Sequence, residues 1–297
     1  MQPQPEKRRF NCFEKDSAAA RPVLRAGPLA FTLLELVVVV GIIMVLAALA
    51  VSAIARAKTK TRTLICLSNT KQLVLAWSLY SLDHDERLVY NLCAATSRKV
   101  LRQHTPANWV DDVLTWELDP DNTNTVFLAE GGLAPYLGRE PRVYRCPADN
   151  ALSDIQRRAG WSQRVRSYSM NAMVGDAGEA SAGGVNANNP DYVQFFTTSQ
   201  FRDTAGIFVF IEEHPDSLND GYFLDKPDDF EWIDLPASTH DGAATLSFAD
   251  GHAEVHRWVC PSTRRPPQPD TGPLPFAPPE VETADLEWLT QRISVDR

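Results

Sequence analysis

An excess of positive charge is absent from this chain: 29 Lys and Arg stand against 38 Asp and Glu, a formal charge of −9. A phosphate polymer would be repelled, which excludes nucleic-acid binding driven by charge. No stretch repeats itself, which excludes a solenoid. No nucleophile accompanied by an oxyanion motif stands out, so nothing points to acyl-transfer chemistry. Ionisable side chains are missing between Phe31 and Ala55 with one exception, Glu35, and Gly and Pro are missing from Arg56 to Asp83.

The gap in charge coincides with an apolar run, Phe31 to Ala55, and about 20 such residues cross a bilayer as a helix. A carboxylate at membrane depth costs roughly 2.5 to 3.5 kcal/mol, so Glu35 is expected to have a use there, against the plainer reading that it snorkels to the interface. A secretory signal peptide cut near Ala48-Leu49-Ala50 is the rival for the whole segment. Such cores usually run about 7 to 15 residues, however, and this one is longer and follows a 30-residue polar leader. Lys7, Arg8, Arg9, Lys15, Arg21 and Arg25 favour a cytoplasmic N-terminus, but Arg56, Lys58, Lys60 and Arg62 beyond the span nearly balance them. This second cluster suits lipid headgroups.

About 240 residues follow, enough for one sizeable domain. With no helix breaker from Arg56 to Asp83, and Cys66, Leu73, Trp77 and Tyr80 on one stripe, the span is expected to continue as one helix of about 50 residues, its outer half against a sheet. Asp119-Pro120-Asp121-Asn122 reads as a turn, and Thr125 to Glu130 as a short helix or strand. The Gly-, Ala- and Asn-rich run from Gly175 to Pro190 reads as an exposed loop. Ile207 to Ile211 is the strongest buried strand. The acidic turn after it, through Asp216, Asn219 and Asp220, is dense in oxygen ligands and could hold a calcium ion, although its spacing is not that of an EF-hand and a solvated loop explains it as well.

Asp250-Gly251 between alternating runs signals a hairpin. A two-residue loop would pair Ala249 with His252 and Leu246 with Val255. Leu246, Phe248, Ala253 and Val255 would then form a core face, with Thr245, Ser247, His252, Glu254 and His256 on a polar one. His252, Glu254 and His256, joined by His240 and Asp250, could hold zinc in a metallohydrolase, but alternating polar residues are also what any half-exposed strand shows.

The junction Ala30-Phe31-Thr32-Leu33-Leu34-Glu35 resembles the processing site of type IV prepilins and type II secretion pseudopilins. The resemblance implies cleavage between Ala30 and Phe31 by a prepilin peptidase, N-methylation of Phe31, and pairing of Glu35 with the Phe31 amine of a neighbouring subunit. The family usually has Gly where this chain has Ala30. Loss of residues 1–30 would remove six basic and three acidic side chains and leave −12. A second resemblance is carried by His240, nine intervening residues and Asp250-Gly251, together with Cys66 to Gln72, Tyr144 to Asp149, Ser167 to Asn171 and Asp216 to Gly221. These are similar to the prepilin-type processing-associated H-x9-DG domain of bacterial pseudopilin-like proteins.

The two resemblances imply a pilin-like α+β fold, a long N-terminal helix packed on an antiparallel β-sheet, organised as leader 1–30, transmembrane helix 31–55, domain 56–260 and tail 261–297. They imply no catalytic residues and no cofactor beyond the calcium ion considered above. They place the N-terminus in the cytoplasm and the domain in the periplasm, anchored in a bacterial inner membrane or built into an envelope filament. The partners would be other pseudopilins and a secretion or pilus assembly platform. A membrane-anchored binding domain that borrowed a pilin anchor is the alternative.

Cys12 would leave with the leader; Cys66, Cys93, Cys146 and Cys260 then allow three complete pairings outside the membrane. Cys66 with Cys146 would tie the long helix to the loop region, and free buried thiols are the alternative. After Cys260 a Pro-rich stretch without regular structure leads to a short helix near Asp285 to Arg292, with Leu286, Trp288 and Leu289 available for docking.

Overall fold

The computed structural model describes residues 32–93, 108–269 and 274–297. The chain divides into two units, 1–52 and 53–297. Helix α1 runs Leu33–Asp83. In the first unit its apolar side chains, among them Val37, Ile42, Leu46 and Leu49, are exposed. Its most apolar window has a mean hydropathy of 3.0 with none of it buried, so the helix is long and apolar enough to cross a membrane. Such a surface suits hydrocarbon rather than water.

In the second unit α1 becomes amphipathic. Cys66, Asn69, Thr70, Leu73, Val74, Trp77, Tyr80 and Ser81 are buried at helical spacing, while Ser68, Lys71, Gln72 and Leu75 are exposed. The helix stops where Asp85 and Glu86 take left-handed backbone angles (φ 53° and 62°) and the Glu86 N–H returns to Ser81 O at 2.8 Å. Past Asn108 come the one-turn helices α2 (Val126–Ala129) and α3 (Asp154–Arg158). A Ser153/Gln156 capping box starts α3.

Five strands form one sheet: β1 (Tyr168–Asn171), β2 (Phe208–Glu212), β3 (Tyr222–Phe223), β4 (Ala243–Phe248) and β5 (Ala253–Arg257), in the order β3-β1-β2-β4-β5. The sheet is mixed, which corrects the antiparallel expectation. β1 is antiparallel to β2 but parallel to β3. The cause is the short return from Glu212 to Tyr222, which reverses the chain and steps over β1 to its far edge. A strand antiparallel to β2 must then run parallel to β1, and two strand spacings, about 10 Å, are within reach of nine residues.

The sheet is covered on both faces, and a bulge sets which side chains go where. Between Phe208 and Phe210 the register with β4 shifts. Val209 and Phe210 therefore both join the cluster of Leu73, Trp77, Tyr168 and Met170 beneath α1, while Phe208 and Ile211 point to the opposite face. On that face Ala244, Leu246 and Phe248 meet Trp258 and helix α4 (Ala284–Thr290) through Leu286 and Leu289. The terminal helix thus docks on its own domain, and Asn171 Nδ2 donates to Ile293 O at 2.9 Å to hold the segment that follows.

The hairpin register also differs from the two-residue expectation. Gly251 is left-handed (φ 88°), the Gly251 N–H bonds Phe248 O at 2.8 Å, and Leu246 pairs with Glu254 instead of Val255. This is a three-residue loop with glycine at its bulge position. A one-residue slip turns every β5 side chain over: Leu246 and Phe248 share their face with His252, Glu254 and His256, while Thr245 and Ser247 share theirs with Ala253 and the exposed Val255.

The run from Gly175 to Pro190 is not simply an exposed loop. Ser181, Asn186 and Asn189 are buried. Asn186 Nδ2 donates to Gln194 Oε1 at 2.7 Å and Tyr222 Oη at 2.9 Å, and Asn189 Nδ2 to Asp225 O at 3.0 Å. Short amides satisfy backbone and side-chain acceptors that apolar residues would leave unpaired.

Candidate functional site

Two places hold the residues singled out by sequence. The first is the start of α1. Ala30 and Phe31 lie outside the described residues. Glu35 sits in the first turn, where its carboxylate accepts from the Thr32 N–H at 2.9 Å and the Thr32 hydroxyl at 2.8 Å, and the Glu35 N–H donates back to Thr32 Oγ1 at 3.2 Å. This is a capping box, and it satisfies amides that the first turn would otherwise leave bare.

The second is a buried centre beneath α1. Cys66 of α1 and Cys146 of the loop after Tyr144 form a disulfide with Cα atoms 5.2 Å apart, closing a sequence separation of 80 residues. His240, in the loop before β4, places Nε2 3.4 Å from Cys146 Sγ and 3.1 Å from Glu212 Oε2. Its Nδ1 lies 3.1 Å from Thr63 Oγ1 on α1. Glu212 ends β2 on the α1 side and accepts from Thr239 Oγ1 at 2.6 Å and Thr245 Oγ1 at 3.3 Å. All four side chains are buried, and burial together with the Glu212 charge pushes the neighbouring Tyr168 phenol well above its ordinary value. A groove of about 770 Å³, bordered by Thr59, Thr63, His240 and Arg257, opens beside His240.

Asp250 and Gly251 serve the hairpin. Asp250 Oδ1 accepts from the His252 N–H at 2.9 Å and faces His252 Nδ1 at 2.6 Å, and Lys71 of α1 donates to Gly251 O. His240 and Asp250 of the H-x9-DG spacing thus have different neighbours. His252 stacks on Phe248 and His256 on Trp288, with centroids 4.3 and 3.6 Å apart. The alternating histidines on β5 are ring contacts for the α4 face, and the zinc set built on them is not assembled.

The candidate calcium residues are turned to other partners. Asp216 Oδ1 accepts from the Gln268 N–H at 2.8 Å, and its Oδ2 lies 3.7 Å from both His214 Nδ1 and Arg265. Asp220 Oδ1 accepts from the Tyr222 N–H at 2.8 Å, and Asn219 Oδ1 from the Asp220 N–H. Among the described residues, the side chains grouped closely enough to hold a metal ion are instead Cys66, Cys146, Glu212 and His240, with the two cysteines joined in the disulfide. Sequence reasoning missed Glu212 and Thr63. An acid directly after the buried run Ile207 to Ile211 was the available signal for Glu212.

Near this centre, Glu213 is buried and takes a bond from the Ser169 hydroxyl, and burial raises its pKa to about 8. Burial also pushes Asp225 and Asp234 well up. The folded chain therefore keeps protons that the unfolded chain has released above pH 4.5, so stability falls as pH rises toward 8. The unfolding free energy of the detergent-solubilised protein, from urea titrations, is expected to drop between pH 6 and 7.5 by about 2 kcal/mol on account of Glu213, and Glu213→Gln should remove that part of the slope. A midpoint that rises over this range would contradict the assignment.

Against known proteins, no family model, no curated sequence and no solved structure matches the chain.

Proposed function

We propose that the protein is a pseudopilin-like subunit that acts by assembly and not by catalysis. The observation that carries the reading is α1. Its first part is exposed, apolar and charged only at Glu35, while its second part packs on a covered α+β domain. One helix can then serve as a bilayer anchor before assembly and as a filament core after it. The junction before Thr32 supplies the processing site, with Ala30 and Phe31 on either side of the cut.

In the free subunit Thr32 satisfies the Glu35 carboxylate. In a filament that carboxylate meets the methylated Phe31 amine of a neighbour, and each offsets the burial of the other's charge. The periplasm, where a disulfide such as Cys66–Cys146 persists, suits the domain. Partners on this reading are a prepilin peptidase, sibling pseudopilins, an assembly platform and the bilayer.

Mass spectrometry of the native protein is expected to find an N-methylated Phe31 terminus; an intact leader or a start at Val51 would overturn the reading. Glu35→Gln leaves the neighbour's amine unpaired. It should reduce incorporation into filaments by on the order of 100-fold, about 3 kcal/mol, with the soluble unit still folded. Unchanged incorporation would remove the pairing.

A further inference from the structure

We infer that the buried centre is a zinc site in the reduced chain: Cys66, Cys146, His240 and Glu212 bind one Zn²⁺ when the disulfide is open. The four ligand atoms lie within 4.8 Å of one another. Two thiolates, an imidazole and a carboxylate match the donors and the coordination number that zinc takes in closed structural sites. Zinc–sulfur bonds of about 2.3 Å and zinc–nitrogen or –oxygen bonds of about 2.0 to 2.1 Å imply tetrahedral edges of about 3.5 Å from S to N and 3.3 Å from N to O. The observed separations are 3.4 Å for Cys146 Sγ to His240 Nε2 and 3.1 Å for His240 Nε2 to Glu212 Oε2.

Two further observations point the same way. Thr63 Oγ1 lies 3.1 Å from Thr59 O, the helix bond that Thr59 and Thr61 also make four residues back, so its proton is assigned there. Its oxygen then accepts from His240 Nδ1–H, and the bare lone pair of Nε2 faces a carboxylate oxygen. Nε2 and the Glu212 oxygen, beside the two sulfurs, thus converge as two ligands of one metal ion do once the dithiol is formed. The second observation is the Ala148 N–H, which donates to Cys146 Sγ at 3.3 Å. A backbone donor there favours a thiolate. Thr239 and Thr245 orient Glu212 as Thr63 orients His240, which is the outer-shell support that metal ligands ordinarily have. The groove beside His240 supplies an entry path.

The chemistry balances with a dithiol as reductant. The Cys66–Cys146 bond breaks, its sulfurs take two electrons and two protons, and the dithiol becomes a disulfide. Zn²⁺ then displaces the two thiol protons. The bound site carries one net negative charge, offset by the threonine hydroxyls and the Ala148 N–H.

The test uses the full chain in detergent micelles, reduced with dithiothreitol, freed of it by anaerobic gel filtration and equilibrated with zinc sulfate. About one zinc per chain is expected in the reduced protein and essentially none in the air-oxidised protein. Cobalt(II) in place of zinc should show a thiolate-to-metal charge-transfer band. His240→Ala and Glu212→Gln should each weaken zinc binding about 100-fold while still forming the disulfide in air, and Thr63→Val about 10-fold. Circular dichroism should show the reduced chain folded with zinc present. Zinc held equally by the oxidised chain, or by His240→Ala as tightly as by the parent, would overturn the site. So would a reduced chain with both thiols titratable that holds no zinc, or one that unfolds and is not recovered by it.

Discussion

Replacing Cys66 and Cys146 together by Ser is expected to lower the stability of the oxidised protein by about 4 kcal/mol. The bond closes a separation of 80 residues, and the chain entropy it removes from the unfolded state grows with the logarithm of that length. Both cysteines are fully buried, Cys66 among the α1 residues that cover the sheet and Cys146 beside His240. Losing the bond removes the covalent tie between α1 and the loop while leaving the Asn69 bond to Arg145 O and the Leu73, Trp77 and Tyr168 packing in place. Denaturant midpoints of the detergent-solubilised protein would report the change. A loss below 1 kcal/mol would mean that the unfolded chain is already constrained in this region.

Asp112→Ala is expected to cost about 3 to 5 kcal/mol. Arg166 is fully buried. Its Nε lies 3.1 and 3.0 Å from the two Asp112 oxygens, and Nη1 donates to Tyr168 O at 2.7 Å and Ser169 Oγ at 3.1 Å. Both side chains of the pair have no exposure at all. Removing the acid leaves a guanidinium in a medium that solvates it poorly, whereas replacing both residues by apolar ones of similar volume removes the charge along with its partner. Asp112→Leu with Arg166→Met should therefore be near neutral. The contrast between the two variants is the test: equal losses would mean that packing at this site, and not the uncompensated charge, sets the cost. Burial and the Asp112 charge also raise the Tyr144 phenol, so its ultraviolet titration should move toward the ordinary tyrosine range in the Ala variant.

How far local sequence carried depended on the range of the interaction. The course of α1 could be read directly, because an apolar run, a stretch free of Gly and Pro, and a stripe at Cys66, Leu73, Trp77 and Tyr80 are all short-range signals. Ile207 to Ile211 announced β2 in the same way. The hairpin was placed correctly but given the wrong register, since Asp-Gly serves both two-residue and three-residue loops. Only the backbone at Gly251 separates them, and the error turned His252, Glu254 and His256 to the wrong face. The parallel pairing of β3 had no local signal, because it follows from where the return after Glu212 crosses.

Composition and spacing alone established an acidic chain with one span-length apolar helix holding a single acid, a buried strand and an Asp-Gly hairpin, while the α+β fold was what the family resemblances implied. Tertiary structure alone decided that Cys66 joins Cys146, that His240 turns inward to Glu212 instead of sharing a site with Asp250, and that Asp216, Asn219 and Asp220 each accept from a backbone N–H. The physical reason is distance along the chain. A helix or strand is specified by residues a few places apart, whereas the buried centre joins positions 66, 146, 212 and 240, which meet only once α1 covers the sheet.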